Sequence, residues 1–301
     1  VRVAFHPDYE VALPEGHPFP MRKFALLAGI LRREGLVADA EWIEPAEAEW
    51  ETLALAHDPR YLEDLRLGTL PPAAVRRLGL PWSAALVRRS RLATRGTIEA
   101  CLAALEDGLA ANLAGGTHHA LPEGGEGFCV INDVAVAVRW LRQEGFLGRV
   151  LVCDLDVHHG NGNAVAFASD PETYTFSMHG ARNFPLRKPP SDRDVPLADG
   201  TGDEVYLETL ARELPRAIGA ARPELVIYLG GVDVLAGDRF GRLALTRDGL
   251  RAREELVLAT AGRAGLPMAL TLSGGYAATP EATADLHAEI HRAAARRSRR
   301  A

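Results

Sequence analysis

Asp154-Leu155-Asp156-Val157-His158-His159-Gly160-Asn161-Gly162 is the stretch on which the reading of this chain turns. Just before it, Arg149-Val150-Leu151-Val152-Cys153 is a short apolar run that predicts a buried strand. The run ends in two carboxylates and two imidazoles, then glycines. In an open α/β sheet, ligands gather at the carboxyl ends of parallel strands. Asp156 and His158 are two residues apart, so an extended backbone turns both to one side. A carboxylate oxygen and an imidazole nitrogen aimed at one point make a ligand pair for a first-row metal. Asp154 shares that side and is placed to support the pair. A capped strand end with solvated polar residues would look the same in isolation, so the rest of the chain has to decide.

Outward from this motif, strand-like and helix-like segments alternate. Strands are predicted at Arg2 to His6, around Ala40 to Ile43, at Leu53 to His57, at Thr173 to Met178, at Leu225 to Leu229 and at Met268 to Leu272. Helical periodicity runs over Met21 to Arg33, Ser83 to about Leu105, Asp133 to about Gln143, Gly160 to Ala168, Asp203 to Ala220, Thr246 to about Gly262, and from about Pro280 onward. Residues 67–82, 112–132 and 181–202 read as loops punctuated by glycine and proline. This alternation predicts a parallel sheet covered by helices on both faces. Four strands then end in reactive or glycine-bracketed residues: Asp154/Asp156/His158, His179, Asp233 and Tyr276. Parallel strand ends meet at one edge, so these groups are expected to converge.

Composition narrows the class. The 301 residues suit one large α/β domain, taken here as 1–301. A formal net charge of −6 argues against general nucleic-acid binding, and the Arg-rich end from Arg292 to Arg300 reads as a solvated tail. No apolar stretch is long enough to span a bilayer and no signal peptide is apparent. The three cysteines, Cys101, Cys129 and Cys153, show no pairing pattern, which fits reduced thiols in a cytoplasmic protein.

Asp233 follows Gly230-Gly231 at the end of a buried strand and completes a candidate set of two carboxylates and one imidazole. Three protein ligands leave a position for water, the pattern of a catalytic site. His118-His119 follow Gly115-Gly116-Thr117; neutral imidazoles near an activated water can take up its proton and return it to a leaving amine. Asp154 is placed to hold one of these rings and raise its basicity. Tyr276, after Gly274-Gly275, can donate from its phenol to an oxyanion. Phe128 and Phe184 lie on loops where they could wall a channel, with core packing as the alternative for each. Ser177 and the backbone around Asp154, Asp156, His158 and Met178 offer hard oxygen ligands of the kind a monovalent or alkaline-earth cation takes.

Together these clusters resemble the zinc-dependent histone deacetylase family, including bacterial acetoin-utilisation-type and acetylpolyamine amidohydrolases. The matching segments are His118-His119, Gly127-Phe128-Cys129 with Asn132-Asp133, Asp154 to Gly162, Phe176 to His179, Gly231 to Asp238, and Ser273 to Tyr276, the last two looking closest to the class IV branch and its bacterial relatives. The resemblance implies an arginase-like, three-layer αβα fold with a central eight-stranded, mostly parallel sheet. It implies one zinc ion on Asp156, His158 and Asp233, and potassium on Asp154, Asp156, His158, Ser177 and Met178. It further implies water activation by His118 and His119, with Asp154 and Asn161 behind them, and carbonyl polarisation helped by Tyr276. Gly127, Phe128, Phe184 and Gly275 would line the substrate channel, and Arg22 an exit cavity for the released acid. The substrate would be an acylated lysine, polyamine or small-molecule amide.

Three departures stand out. Asn161 replaces the aspartate that class I members carry behind the second histidine, which should leave His119 less basic. Residues 67–97 show no counterpart of the rim aspartate that grips a peptide backbone. Ser273 takes the place of the first glycine in the usual Gly-Gly-Gly-Tyr. Two other readings compete. A ureohydrolase on the same fold would need two bridged metals, yet positions 160 and 235 are glycine and leucine. A non-catalytic acyl-lysine reader would not need every catalytic position filled.

Overall fold

The computed structural model describes residues 1–298, so Arg299 and Arg300 of the basic end lie outside the described residues. Its strands are β1 (Arg2–Ala4), β2 (Trp42–Ile43), β3 (Leu109–Asn112), β4 (Val150–Asp154), β5 (Thr173–Gly180), β6 (Arg193–Leu197), β7 (Leu225–Leu229) and β8 (Met268–Thr271). They form one eight-stranded sheet in the order β2-β1-β3-β8-β7-β4-β5-β6. Every neighbouring pair is parallel. The strands at the centre are apolar on both faces: every residue of β4, β7 and β8 is buried. That is the pattern of a parallel sheet sandwiched between helices. The edges are weaker. β2 has two half-buried residues, and β6 carries exposed Arg193 and Pro196, as an edge strand tolerates.

The helices are α1 (Lys23–Arg33), α2 (Trp50–Leu53), α3 (Pro59–Leu67), α4 (Pro72–Leu78), α5 (Ala84–Asp107), α6 (Asp133–Gln143), α7 (Asn161–Phe167), α8 (Asp203–Ala221), α9 (Arg247–Arg263) and α10 (Pro280–Ser298). α5 packs across β1, β3 and β8 with α6 beside it, while α1, α10, α9 and α8 succeed one another as neighbours and α8 meets β4 and β5. Among the described residues no helix is long and apolar enough to cross a membrane.

Several expectations need correction. Leu53 to His57 is not a strand: Leu53 N donates to Glu49 O and Ala54 N to Trp50 O, closing the short helix α2. Leu and Ala favour helix over strand, and apolar character alone does not separate the two. Residues 67–82 contain α4, whose Pro71-Pro72 start and left-handed Gly79 end are helix boundaries as much as loop signals. β3 and β6 lie within or beside stretches read as loops. β3 is short and alanine-rich, and β6 includes Arg193, Asp194 and Pro196, so both depend on pairing with β1 and β5.

A buried polar network fixes α5 against the sheet. Tyr9 Oη donates to Asn112 Oδ1 at 2.9 Å, and Asn112 Nδ2 donates to Ala93 O and to Thr97 Oγ1, each at 2.9 Å. Gly96 lies where a Cβ would stand 2.2 Å from Tyr9 Oη and 2.7 Å from Asn112 Oδ1. Gly96→Ala is therefore expected to cost about 1–3 kcal/mol by overpacking. Thermal denaturation should show a melting point several degrees lower; an unchanged one would contradict this packing.

Candidate metal centre and catalytic pocket

The carboxyl ends of β4, β7 and β8, with the loop after β3, deliver the side chains singled out in the sequence. Oxygen and nitrogen atoms of Asp156, His158 and Asp233, all buried, lie within 4.8 Å of one another. His158 Nδ1 stands 3.0 Å from Asp156 Oδ1 and 3.3 Å from Asp233 Oδ2. The outer oxygens are held by the backbone: Val157 N donates to Asp233 Oδ1 at 3.0 Å and Gly274 N to Asp156 Oδ2 at 2.6 Å. Gly274 has to be glycine, because a Cβ would come 2.0 Å from Asp233 Oδ2.

Asp233 Oδ2 is buried and accepts no hydrogen bond of good geometry; its contact with His158 Nδ1, at 3.3 Å, is an ion-pair contact only. Burial and the charge of Asp156 push the Asp233 carboxyl up to about 7. Burial opposes charge on His158 too, yet its two carboxylates raise the imidazole to about 10. Two buried acids and one imidazole with an unsatisfied oxygen fit a divalent cation, and two carboxylates with one imidazole form a zinc-type three-ligand set.

The paired histidines stand beside this centre, with ring centroids 4.1 Å apart. They have different partners. His118 Nδ1 lies 2.6 Å from Asp154 Oδ2, whereas His119 Nδ1 lies 2.6 Å from Asn161 Oδ1. Burial disfavours charge on His118, but Asp154 and Asp156 outweigh it and raise the ring to about 9. For His119, burial and the neighbouring His118 and His158 rings hold the imidazole well below its ordinary range, offset only in part by neutral Asn161. The group behind His119 is thus a neutral amide and not a carboxylate.

The His118-His119 loop is aimed by Asp133 at the start of α6. Its carboxylate accepts from Gly116 N (3.0 Å), Thr117 N (2.7 Å) and Thr97 Oγ1 (2.6 Å). Buried Arg253 on α9 clamps the two metal-site strand ends, donating to Leu155 O (3.2 Å) and Gly231 O (2.7 Å) while paired with Glu254. Asp238 accepts from Tyr276 N at 2.7 Å and fixes the tyrosine's loop. The positioning roles of Asp133, Asp238 and Arg253 have no local signal in the sequence. Asp133 stands in a segment that carries the resemblance but without a role assigned to it, and nothing near Arg253 in sequence marks it out.

Tyr276 is buried against Phe240, Phe128 and Phe19, with ring centroids 4.9, 5.9 and 6.2 Å away. An inner cavity of about 40 Å³ is bounded by His118, His119, Asp156, His158, Tyr276 and Lys23. An outer cavity of about 480 Å³ includes Gly127, Phe128, Phe184 and Phe240, and reaches His119, His158 and Tyr276. Phe184 sets its ring edge-on to His119 at 4.9 Å. Phe128 adopts a positive φ of 67°, strained for an aromatic residue, and its N–H bonds Leu78 O at 2.8 Å. Ser273, at φ 60°, is another residue in glycine's region; its hydroxyl donates to Gly116 O at 3.1 Å and its carbonyl accepts from Lys23 Nζ at 2.9 Å.

Two candidates fall outside this group. Arg22 is exposed and faces Glu281 at 3.5 Å; the adjacent Lys23, 1% exposed, occupies the inner cavity instead. Gly275 backs onto Val232 and His287 rather than the channel. On the far side of β4, Asp154 and Ser177 are register partners with Met178 next in line, and Ser177 Oγ also meets His179 Nδ1 at 2.9 Å. His159, His179 and Asp194 form a second group with metal-ligand spacing, in which His159 Nε2 contacts Asp194 Oδ1 at 3.0 Å.

The family profile of the histone deacetylase domain matches residues 17–292. An uncharacterised protein of Picosynechococcus is 47% identical over 97% of both chains. Histone deacetylase 2 of Arabidopsis thaliana is 30% identical over 92% of this chain and 74% of its own. Acetoin utilization protein AcuC of Bacillus subtilis is 28% identical over 80% of this chain and 68% of its own. Among solved structures, a histone deacetylase homologue in complex with SAHA superposes with a TM-score of 0.82 at 27% identity, covering 98% of this chain and 84% of that one.

The orphaned oxygen of Asp233 gives a direct test. The purified protein is expected to carry about one divalent ion per chain by elemental analysis, and Asp233→Asn to lose it. Stripping the ion should also lower the melting temperature, since a ligand bound only by the native state stabilises it. Full metal retention by Asp233→Asn would contradict the ligand set.

Proposed function

The chain belongs to the histone deacetylase family, and from that premise we propose that residues 1–301 act as one zinc-dependent deacylase domain hydrolysing the amide of an N-acyl amine such as acyl-lysine. The observation that carries this reading is the unsatisfied Asp233 oxygen beside Asp156 and His158, at a cavity shared with paired histidines and a buried tyrosine. Asp156, His158 and Asp233 would hold the zinc. When bound, zinc supplies Lewis-acid polarisation of the carbonyl and acidification of water.

The chain's own groups perform the proton transfers. His119, hydrogen-bonded at Nδ1 to a neutral amide, keeps Nε2 as a lone-pair acceptor and takes a proton from the attacking water. His118, held at Nδ1 by Asp154, delivers a proton to the leaving amine nitrogen. Tyr276 donates its phenolic hydrogen to the carbonyl oxygen as negative charge develops there. Phe128 and Phe184 flank the aliphatic tether of the amine and exclude water from it. Asp154, Asp156, His158, Ser177 and Met178 would hold potassium behind the site, where an added cation offsets the buried carboxylate of Asp154.

The inner cavity sets acyl length. About 40 Å³ is room for a few waters, given that one needs roughly 10–15 Å³ on this measure, and it suits an acetyl-sized group. Acetyl-lysine substrates should therefore turn over far faster than octanoyl ones; equal rates would refute the short-acyl reading.

Tyr276→Phe is expected to keep its metal and lose roughly 10²–10³ in kcat on a fluorogenic acetyl-lysine substrate. Undiminished turnover would remove the tyrosine from the mechanism. Asn161→Asp places a carboxylate beside His119, so protonation of that ring becomes easier. The acidic limb of the kcat/KM profile should move to higher pH by about 1 unit or more. An unmoved limb would take His119 out of the role of base.

A further inference from the structure

The mouth of the outer cavity is cationic although the chain as a whole carries a formal net charge of −6. Arg77, Arg182 and Arg242 all line it, with Glu126 the only carboxylate among the lining residues. These arginines come from three separate segments: the last turn of α4, the loop after β5 and the loop between β7 and α9. Arg182 and Arg242 keep 80% and 57% of their side-chain surface exposed, and they share one neighbour, Asp199, at 3.9 and 3.4 Å. Among the described residues Arg77 has no ion pair within 4 Å, although Glu126 acts on it electrostatically at longer range. Lys188, under the same loop as Arg182, donates to Asn183 O and Pro185 O, each at 2.7 Å, and so adds its charge behind the rim.

Apolar aromatic walls line the same cavity, with Phe184 4.9 Å from His119 and Phe240 4.9 Å from Tyr276. A cleft of this kind focuses the field of its charges on whatever enters. An ammonium group at the far end of a substrate would meet three guanidiniums there, and a carboxylate would meet donors with the geometry to bind it. The segment 67–97, which lacks a rim aspartate in the sequence, contributes Arg77 to this position.

Resting on the deacylase reading, we propose that the substrate is an N-acyl amine whose other end carries a carboxylate, and that acylated polyamines are disfavoured. The amide is cleaved by water to give the free acid and an amino carboxylate. The arginine rim acts on the far charge and takes no part in bond breaking.

The test uses a matched pair, 6-acetamidohexanoate and N-acetylcadaverine. Both place an acetamide on the same five-methylene tether and differ only in ending in carboxylate or ammonium. With each exposed charge pair worth up to about fivefold, the ratio of kcat/KM should favour the carboxylate by roughly tenfold at low salt and shrink as salt screens the rim. In Arg182→Glu/Arg242→Glu, both sites being exposed and outside the core, the ratio should fall by at least that factor. Equal rates or a preference for the ammonium compound in the unaltered enzyme would overturn the inference while leaving amide hydrolysis standing. Calorimetric binding of the same pair runs alongside. If neither compound nor acetyl-lysine is hydrolysed, the deacylase reading fails, and the binding ratio still decides which charge the mouth accepts.

Discussion

Asp156 and Asp233 set the terms for everything around them. Two carboxylates buried this deeply, with a single imidazole between them, repel one another and give up most of their hydration. Burial and the neighbouring charge of Asp156 drive the Asp233 carboxyl up, with His158 offsetting them only in part. The surrounding protein makes the opposite investment. Backbone N–H groups of Val157 and Gly274 fix the outer oxygens, and Arg253 ties both loops to the body of the fold through Leu155 O and Gly231 O. Held in this way, the two carboxylates and the imidazole make a ligand set of the kind a divalent cation takes.

The sheet order explains how separate segments reach that point. β8, β7 and β4 are neighbours at the centre, so Tyr276, Asp233 and Asp156/His158 follow three adjacent strand ends. β3 lies next to β8, and its following loop, pinned by Asp133, brings His118 and His119 over the same edge. The different partners of the two histidines, Asp154 and Asn161, then separate their proton affinities. In the proposed mechanism that difference assigns acid to His118 and base to His119.

The central architecture was legible because it rests on local patterns. Apolar runs such as Leu225 to Leu229 need no tertiary information to read as buried strands, and polar residues placed directly after them mark a ligand edge. The parts that escaped depend on partners far along the chain. β6 looks like a loop because Arg193, Asp194 and Pro196 suit an edge, and only β5 makes it a strand. Lys23 looks like a surface residue of an amphipathic helix. Adjacent helical residues point about 100° apart, so a one-position error exchanges exposed Arg22 for buried Lys23. Arg253 was hidden for a similar reason: nothing near it in sequence shows that Leu155 and Gly231 lie beneath it. Arg77, Arg182 and Arg242 line one cavity only once α4 and two loops are folded.

Anomalous diffraction at the zinc absorption edge, on crystals of the purified protein, tests directly whether these three residues hold zinc. One strong peak per chain, enclosed by Asp156, His158 and Asp233, is expected. Absence of a peak there, or two adjacent peaks bridged by these acids, would contradict a mononuclear zinc centre and the chemistry built on it.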